Sequence, residues 1–249
     1  MTTSTRFAFA AAFAAAALGW SFQARSSAVA PADPLIAGFR ATTVASVSDA
    51  VDQITGRRGY MNHDMRPQTP GKLVGRATTA EIRLAPRPEE STAATAIRHP
   101  VEMIDNAAPG SVGVIVVEGG PEMTGLGGLM ATAARSRNMA GIVVDGSVRD
   151  VEEIRALGLT VFARGRIPAT AVGRYLSVSR DAEVTCGGVK VKPGDIIVGG
   201  EDGVVVVPQD RAEQVLQRAR EIDARETKMV PFIRQFRSLA KAIAAFNRI

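Results

Sequence analysis

A single cysteine, Cys186, stands in a chain of 249 residues, so neither an intramolecular disulfide nor a cysteine-built zinc site can hold this fold. Burial of apolar surface must do that. Without a partner or a nearby histidine in sequence, Cys186 reads as a small packing residue. Aromatic side chains are also scarce, at 5% with one tryptophan and two tyrosines, which disfavours a stacking platform for single-stranded nucleic acid. Only two histidines occur. His63 and His99 lack a third ligand at suitable spacing and read as solvated loop residues. The scattered methionines, Met61, Met65, Met123, Met130 and Met139, read as core packing rather than metal ligands.

What remains is ordinary globular composition: 46% hydrophobic, 22% charged, 24 Gly and 13 Pro. That excludes collagen-like, mucin-like and wholly disordered chains and suits one sizeable domain. The formal charge of +5 is a C-terminal feature, since residues 211–249 carry nine Lys or Arg against four Asp or Glu. Alternating signs through Arg218, Arg220, Glu221, Asp223, Arg225, Glu226 and Lys228 describe a solvated helix face, and no nucleic-acid partner is expected.

Residues 1–30 contain Arg6 and Arg25, no acidic residue, and an alanine-rich apolar stretch over 7–20. This is the pattern of a signal or targeting peptide. As a helix the stretch would rise about 21 Å, short of the roughly 30 Å of a hydrocarbon core, so no stable membrane span is expected. Ser26 and Ala28 permit cleavage after Ala28, giving an exported, periplasmic or secreted protein. An organellar transit peptide, or a cytoplasmic protein with a start site placed too early, fits the same residues.

Farther along, Val44, Val47, Val51 and Ile54 predict an amphipathic helix over 41–56. A loop over 57–71 precedes a strand over 72–82, and partial helix is expected over 91–107. The apolar run 112–117 predicts a buried strand, followed by a Gly-rich loop over 119–128, a helix over 129–138 and a second buried strand over 142–144. Strand, helix and strand make a βαβ unit with parallel strands, whose outgoing loops share one sheet edge, where open α/β folds bind ligands. A helical step over 151–157 leads to a strand over 160–163. Residues 182–207 form a β-rich second half with turns at 187–188, 193–195 and 200–203. The chain is helical from Asp210, with Asp210 and Glu213 spaced as a capping box.

Two constellations carry candidate chemistry. Gly127, Gly128, Leu129 and Met130 open a helix, whose first N–H groups point outward at the positive end of its dipole and receive a carboxylate. Those glycines also serve a loop that needs their backbone freedom. In the second, Arg149 offers a planar fork to a carboxylate and Asp150 offers hard oxygens to a divalent cation. Asp150 and Glu153 read equally as a helix capping box.

The segments GLGGLMATAA, GIVVDGSVRDVEEI, VFARG, GGVKVKPGD and EDGVVVVP, with VSDAVDQITG and PGKLVGRATT before them, resemble the RraA-like family, and the resemblance covers nearly all of residues 42–210. That family includes the regulator of ribonuclease E activity A and the metal-dependent aldolases of 4-hydroxy-4-methyl-2-oxoglutarate. The resemblance implies an α/β, swivelling β/β/α-type domain over 31–209, with a helical extension over 210–249 that packs on the domain or on a neighbouring subunit. It further implies a homotrimer, or a hexamer as a pair of trimers. The activity it implies is cleavage of a small 2-oxo acid, with oxaloacetate decarboxylation as a related reaction, both through a pyruvate enolate. Arg149 would bind the pyruvyl oxygens, Asp150 would ligate magnesium or manganese, and the amides at 128–130 would take the carboxylate.

Two departures stand out. The aldolase signature carries an acidic residue separated by twenty residues from its Arg-Asp pair, where this chain has Gly128, and an acidic residue is also expected at Gly200. Glu122, in the loop before Gly128, is the expected replacement, with Glu118 and Glu201 as other candidates and Glu153 as a supporting group. Loss without replacement leaves the alternative of a non-catalytic binding or regulatory protein with an impaired metal site.

Overall fold

The computed structural model describes residues 33–247, and the expected targeting peptide lies outside them. Chain order begins with helices α1 (Pro34–Ala41) and α2 (Val44–Thr55), then strands β1 (Arg66–Pro67) and β2 (Leu73–Leu84) and helices α3 (Ala93–Ala96) and α4 (Arg98–Asp105). The central part follows as β3 (Val112–Val117), β4 (Thr124–Leu126), α5 (Gly128–Ser136), β5 (Gly141–Val148), α6 (Val151–Ala156) and β6 (Thr160–Arg166). The remainder comprises β7 (Tyr175–Arg180), β8 (Val184–Cys186), β9 (Val189–Val191), β10 (Ile196–Gly200), β11 (Gly203–Val207), α7 (Ala212–Phe236) and α8 (Leu239–Phe246).

One sheet runs β1-β6-β5-β3-β2-β10-β11, with β4 on β5 and β7 on β2, while β8 and β9 pair separately. Strands β2, β3, β5 and β6 are mutually parallel, and β10 joins β2 in antiparallel register. An isolated bridge from Tyr60 to Val205, and the Arg66 guanidinium donating to the Asp202 carbonyl, draw the two ends of the sheet together into a nearly closed barrel.

The continuous apolar runs follow from burial on both faces. On β3, Ile115 and Val117 face a core shared with Met103 and Ile104 of α4, Ala131 and Ala134 of α5, and Ile154 of α6. The alternate residues Val112 and Val114 face the barrel interior with Phe162, Ile197 and Cys186. A third core packs Val47 and Val51 of α2 and Val215, Leu216, Ala219 and Ile222 of α7 on the outer face of β10 and β11. At about 1.5–3 kcal/mol per fully buried Val, Leu or Ile side chain, α7 gains its order from this face rather than from helix propensity. Cys186 is fully buried, which pushes its thiol well above the ordinary range, in keeping with a packing role.

Several expectations need correction. Helix α1 and strand β7 lie in stretches that no expectation covered, and the strand expected at 142–144 continues through Asp145 to Val148. His99 lies in the first turn of α4, half-buried, with Nδ1 3.2 Å from Glu102. Asp210 and Glu213 form no capping box. Residues Gln209–Arg211 make a 3-10 turn, and α7 begins at Ala212 without a side-chain cap. The C-terminal helix is two helices, broken at Arg237 in left-handed conformation, with the Ser238 hydroxyl accepting the Lys241 N–H to start α8.

Candidate active site

Both sequence constellations come together at one sheet edge. Strand β4 pairs with the end of β5 through Thr124 opposite Ser147 and Leu126 opposite Val148. The Arg149 N–H then donates to the Leu126 carbonyl at 3.1 Å, which fixes the Arg-Asp pair beside the start of α5. A Cβ at Gly127 would lie 3.0 Å from both Arg149 Nε and Asp150 Oδ2, so glycine here lets both side chains lie over the helix mouth.

Asp150 adopts φ 56°, ψ 38°, a left-handed conformation that asparagine and aspartate tolerate better than other L-residues. It precedes α6 but does not cap it. Its Oδ2 instead accepts the Gly128 N–H of α5 at 2.8 Å, so the capping-box reading of Asp150 and Glu153 is overturned. The reason is geometric: the left-handed turn directs the carboxylate at the neighbouring helix, whose dipole and unpaired amide attract it. Arg149 Nε stands 3.7 Å from the same oxygen, with the Arg149 and Asp150 side chains 40% and 39% exposed. Both are reachable from solvent.

The expectation for the helix mouth changes in one respect. The Gly128 amide is already taken by Asp150, and the Ala131 N–H donates to the Gly127 carbonyl. That leaves the Leu129 and Met130 amides, which have no acceptor among the described residues. An anion arriving there meets two open N–H groups with the Arg149 guanidinium alongside. Leu129 itself is 90% exposed at the lip.

Of the acids named for the place of the one absent at Gly128, Glu122 is exposed at the end of a 3-10 turn, Gly120–Glu122, and makes no hydrogen bond or ion pair with Arg149 or Asp150. Glu118 is committed to the Leu84 N–H at 2.7 Å, and Glu201 lies in the β10–β11 turn. Glu153 is the carboxylate that reaches the position. A Cβ at Gly128 would overlap Glu153 Oε2, with Asp150 Cβ 3.3 Å away. Spacing of three residues puts Asp150 and Glu153 on one side of the chain's entry to α6, a signal the sequence offers both as capping spacing and as the supporting place of Glu153.

No group of three or more His, Cys, Asp or Glu side chains is arranged to hold a metal among the described residues. The donor chemistry at Asp150, with one oxygen unbonded and a second carboxylate near, fits a hard cation that keeps most of its waters, as magnesium does, rather than zinc or another ion needing a closed protein cage. Two cavities lie elsewhere, one of about 640 Å³ between α1 and α7 and one of about 710 Å³ among α2, α7 and α8. Neither touches the Arg-Asp pair. No helix among the described residues is long and apolar enough to cross a membrane.

A family model described as Aldolase/RraA matches residues 44–206. The chain is 31% identical over 194 residues, 76% of this chain and 83% of the relative, to a protein of Halalkalibacterium halodurans named "Putative 4-hydroxy-4-methyl-2-oxoglutarate aldolase". Among solved structures it is similar to an uncharacterised protein of Pseudomonas syringae pathovar tomato, with 28% identity, a TM-score of 0.75, and coverage of 85% of this chain and 93% of that one. It is also similar to RraAS2 of Streptomyces coelicolor, an unusual member of the RNase ES inhibitor RraA protein family, at 26% identity and a TM-score of 0.69 over 79% of this chain and 96% of that one.

Proposed function

Because the chain belongs to the RraA-like family, we propose that it is a divalent-metal-dependent carbon–carbon lyase acting on small 2-oxo acids, as a 4-hydroxy-4-methyl-2-oxoglutarate-type aldolase, an oxaloacetate decarboxylase, or both. The observation that carries this reading is the convergence of Arg149 and Asp150 on a helix start that still has the Leu129 and Met130 amides open.

The two amides and the Arg149 guanidinium receive the carboxylate of the pyruvyl moiety, the guanidinium by its planar fork and the amides by fixed backbone dipoles. This anchors C1 and leaves the 2-oxo group on the side of Asp150. Asp150 would hold magnesium or manganese through the oxygen not engaged by Gly128. When bound, such an ion supplies Lewis-acid stabilisation of the charge that develops as the bond beyond C3 breaks. In aldol cleavage that electron pair passes into a pyruvate enolate as the 4-hydroxyl carbon becomes a carbonyl and its hydroxyl proton leaves to solvent water; protonation of the enolate at C3 from water then gives pyruvate. In decarboxylation the same enolate forms as carbon dioxide leaves.

Arg149 thus binds and orients, Asp150 holds the ion, and the glycines at 127 and 128 keep the mouth free of side chains. Leu129, an apolar side chain at the lip, suits coverage by a second copy of the chain, in keeping with a trimer or a pair of trimers. Light scattering coupled to size exclusion tests that assembly, and a monodisperse monomer would contradict it.

The test of the lyase is pyruvate release from oxaloacetate and from 4-hydroxy-4-methyl-2-oxoglutarate with magnesium or manganese. Turnover should exceed that of free metal and of Asp150→Ala, and chelation should abolish it. Equal rates for wild type and Asp150→Ala would end the proposal in favour of a binding protein on the same scaffold.

A further inference from the structure

We propose that the helical hairpin formed by the end of α7 and by α8 docks on an anionic lipid surface, a role independent of the lyase reading. Charge is the first observation. Residues 227–249 hold Lys228, Arg234, Arg237, Lys241 and Arg248 and no Asp or Glu, so the alternation of sign earlier on α7 ends at Glu226. There the cations are matched, as Arg218 is by Glu221 at 2.9 Å. Lys228, Arg234, Arg237 and Lys241 are exposed, and none makes an ion pair among the described residues. Apolar exposure is the second. Val230, Phe236 and Leu239 are exposed, and of the eight residues of α8 only Ala242 is buried. Phe232 lies 4.5 Å from Phe236 and 5.7 Å from Phe246 between ring centroids, so three of the nine phenylalanines gather here. Lys241 Nζ stands 6.0 Å from the Phe236 centroid, which sets a cation at the edge of the apolar patch.

The position of the hairpin agrees with a separate task. The family match ends at residue 206, before α7 begins, and beyond Ile222 the one buried residue of α7 is Met229. This end of the helix therefore gains little from the core that orders its start. Cations of one sign around phenylalanine and leucine suit a helix lying in the headgroup boundary, where the rings enter the acyl edge and Lys and Arg meet lipid phosphates. The patch is too short to span the bilayer and serves attachment alone. Pairing with the same hairpin of a second copy would set like charges face to face. A second copy could escape that repulsion only by offering anionic groups such as Asp52, which borders the cavity among α2, α7 and α8.

Co-sedimentation of the full chain with vesicles tests this, comparing phosphatidylcholine alone with equal parts of phosphatidylcholine and phosphatidylglycerol. Wild type should bind the anionic vesicles at least about tenfold more tightly than the neutral ones, and high salt should remove that preference. Arg234→Gln combined with Lys241→Gln should weaken binding to anionic vesicles by about 30-fold. Phe236→Ser combined with Leu239→Ser should weaken it by at least about tenfold. Both should keep the thermal midpoint of wild type, since all four side chains are exposed. The apolar stretch over 7–20 is the same in every variant, so these differences report the hairpin. Equal binding by wild type and both variants, or no vesicle binding by wild type, would overturn the proposal. So would light scattering in which Phe236→Ser with Leu239→Ser separates an assembly that wild type holds, which would give the face to a second copy. A DNA duplex bound as tightly as the anionic vesicles would overturn it in favour of nucleic acid.

Discussion

Two aspartates, one in each half of the molecule, differ in how fully their oxygens are used. Asp195, in the turn before β10, is 6% exposed, and its two oxygens accept the Lys192 N–H at 2.8 Å and the Gln209 N–H at 3.0 Å. It ties the antiparallel half to the start of α7. Asp150, at the end of the parallel half, accepts one amide and keeps an oxygen open to solvent beside Arg149 and Glu153. The antiparallel half matches its polar groups elsewhere too: Thr43 of the α2 cap bonds Asp223 of α7, and Asp33 pairs with Arg76 at 2.8 Å. A carboxylate whose lone pairs are filled by backbone amides fixes a fold, whereas one left partly unbonded over a helix mouth is available for a ligand.

The sharpest break of that contrast is to neutralise each aspartate in turn. Asp150→Asn should lower lyase turnover by at least about a hundredfold, beyond the loss expected for a merely supporting group, with a shift in unfolding free energy below about 1 kcal/mol. A large loss of stability instead would make Asp150 architectural. Asp195→Asn should do the reverse, lowering stability by about 1–3 kcal/mol because an amide N–H₂ then faces a backbone N–H, with turnover per folded molecule unchanged. Chemical denaturation and steady-state rates on the same preparations separate the two outcomes.

Acid tests the contrast at its weaker edge. Burial opposes ionisation of Asp33, but the Arg76 guanidinium and the Leu35 and Ile36 amides outweigh it and hold the carboxyl below its ordinary 3.8. A depressed folded-state value means the contribution is complete above the unfolded pKa and is lost as pH falls through the folded one. Between pH 5 and pH 3, wild type should lose more stability than Asp33→Asn, by less than about 1 kcal/mol because the ion pair is partly solvated. Equal acid sensitivity would remove the Asp33–Arg76 pair from the fold's supports. Smallest of all, Leu129→Ser should alter the unfolding free energy of the chain by no more than about 0.5 kcal/mol. If light scattering also shows no change in assembly, Leu129 plays no part in an interface.

Parallel strands β3 and β5 and the helix between them were legible because their apolar runs and glycine punctuation are local signals, and burial on both faces imposes an unbroken run. Helix α1 was not, since Asp33 and Pro34 start it within a stretch whose composition is shared with the apolar segment before it. The Arg149-Asp150 pair was readable as a chemical unit, but the partner of Asp150 was not. Capping spacing depends on which backbone the side chain faces, and the left-handed turn at Asp150 turns it toward α5. For the same reason Glu122, near Gly128 in sequence, makes no hydrogen bond or ion pair with Arg149 or Asp150, whereas the Glu153 carboxylate, twenty-five residues on, reaches the space beside Gly128.

The most direct measurement is a crystal structure of the protein with magnesium or manganese and pyruvate, read at the start of α5. Expected is an ion on the free oxygen of Asp150, with the pyruvate carboxylate on the Leu129 and Met130 amides and the Arg149 guanidinium. An ion bound elsewhere, or a carboxylate absent from that helix mouth at saturating pyruvate, would contradict a lyase centred on the Arg-Asp pair.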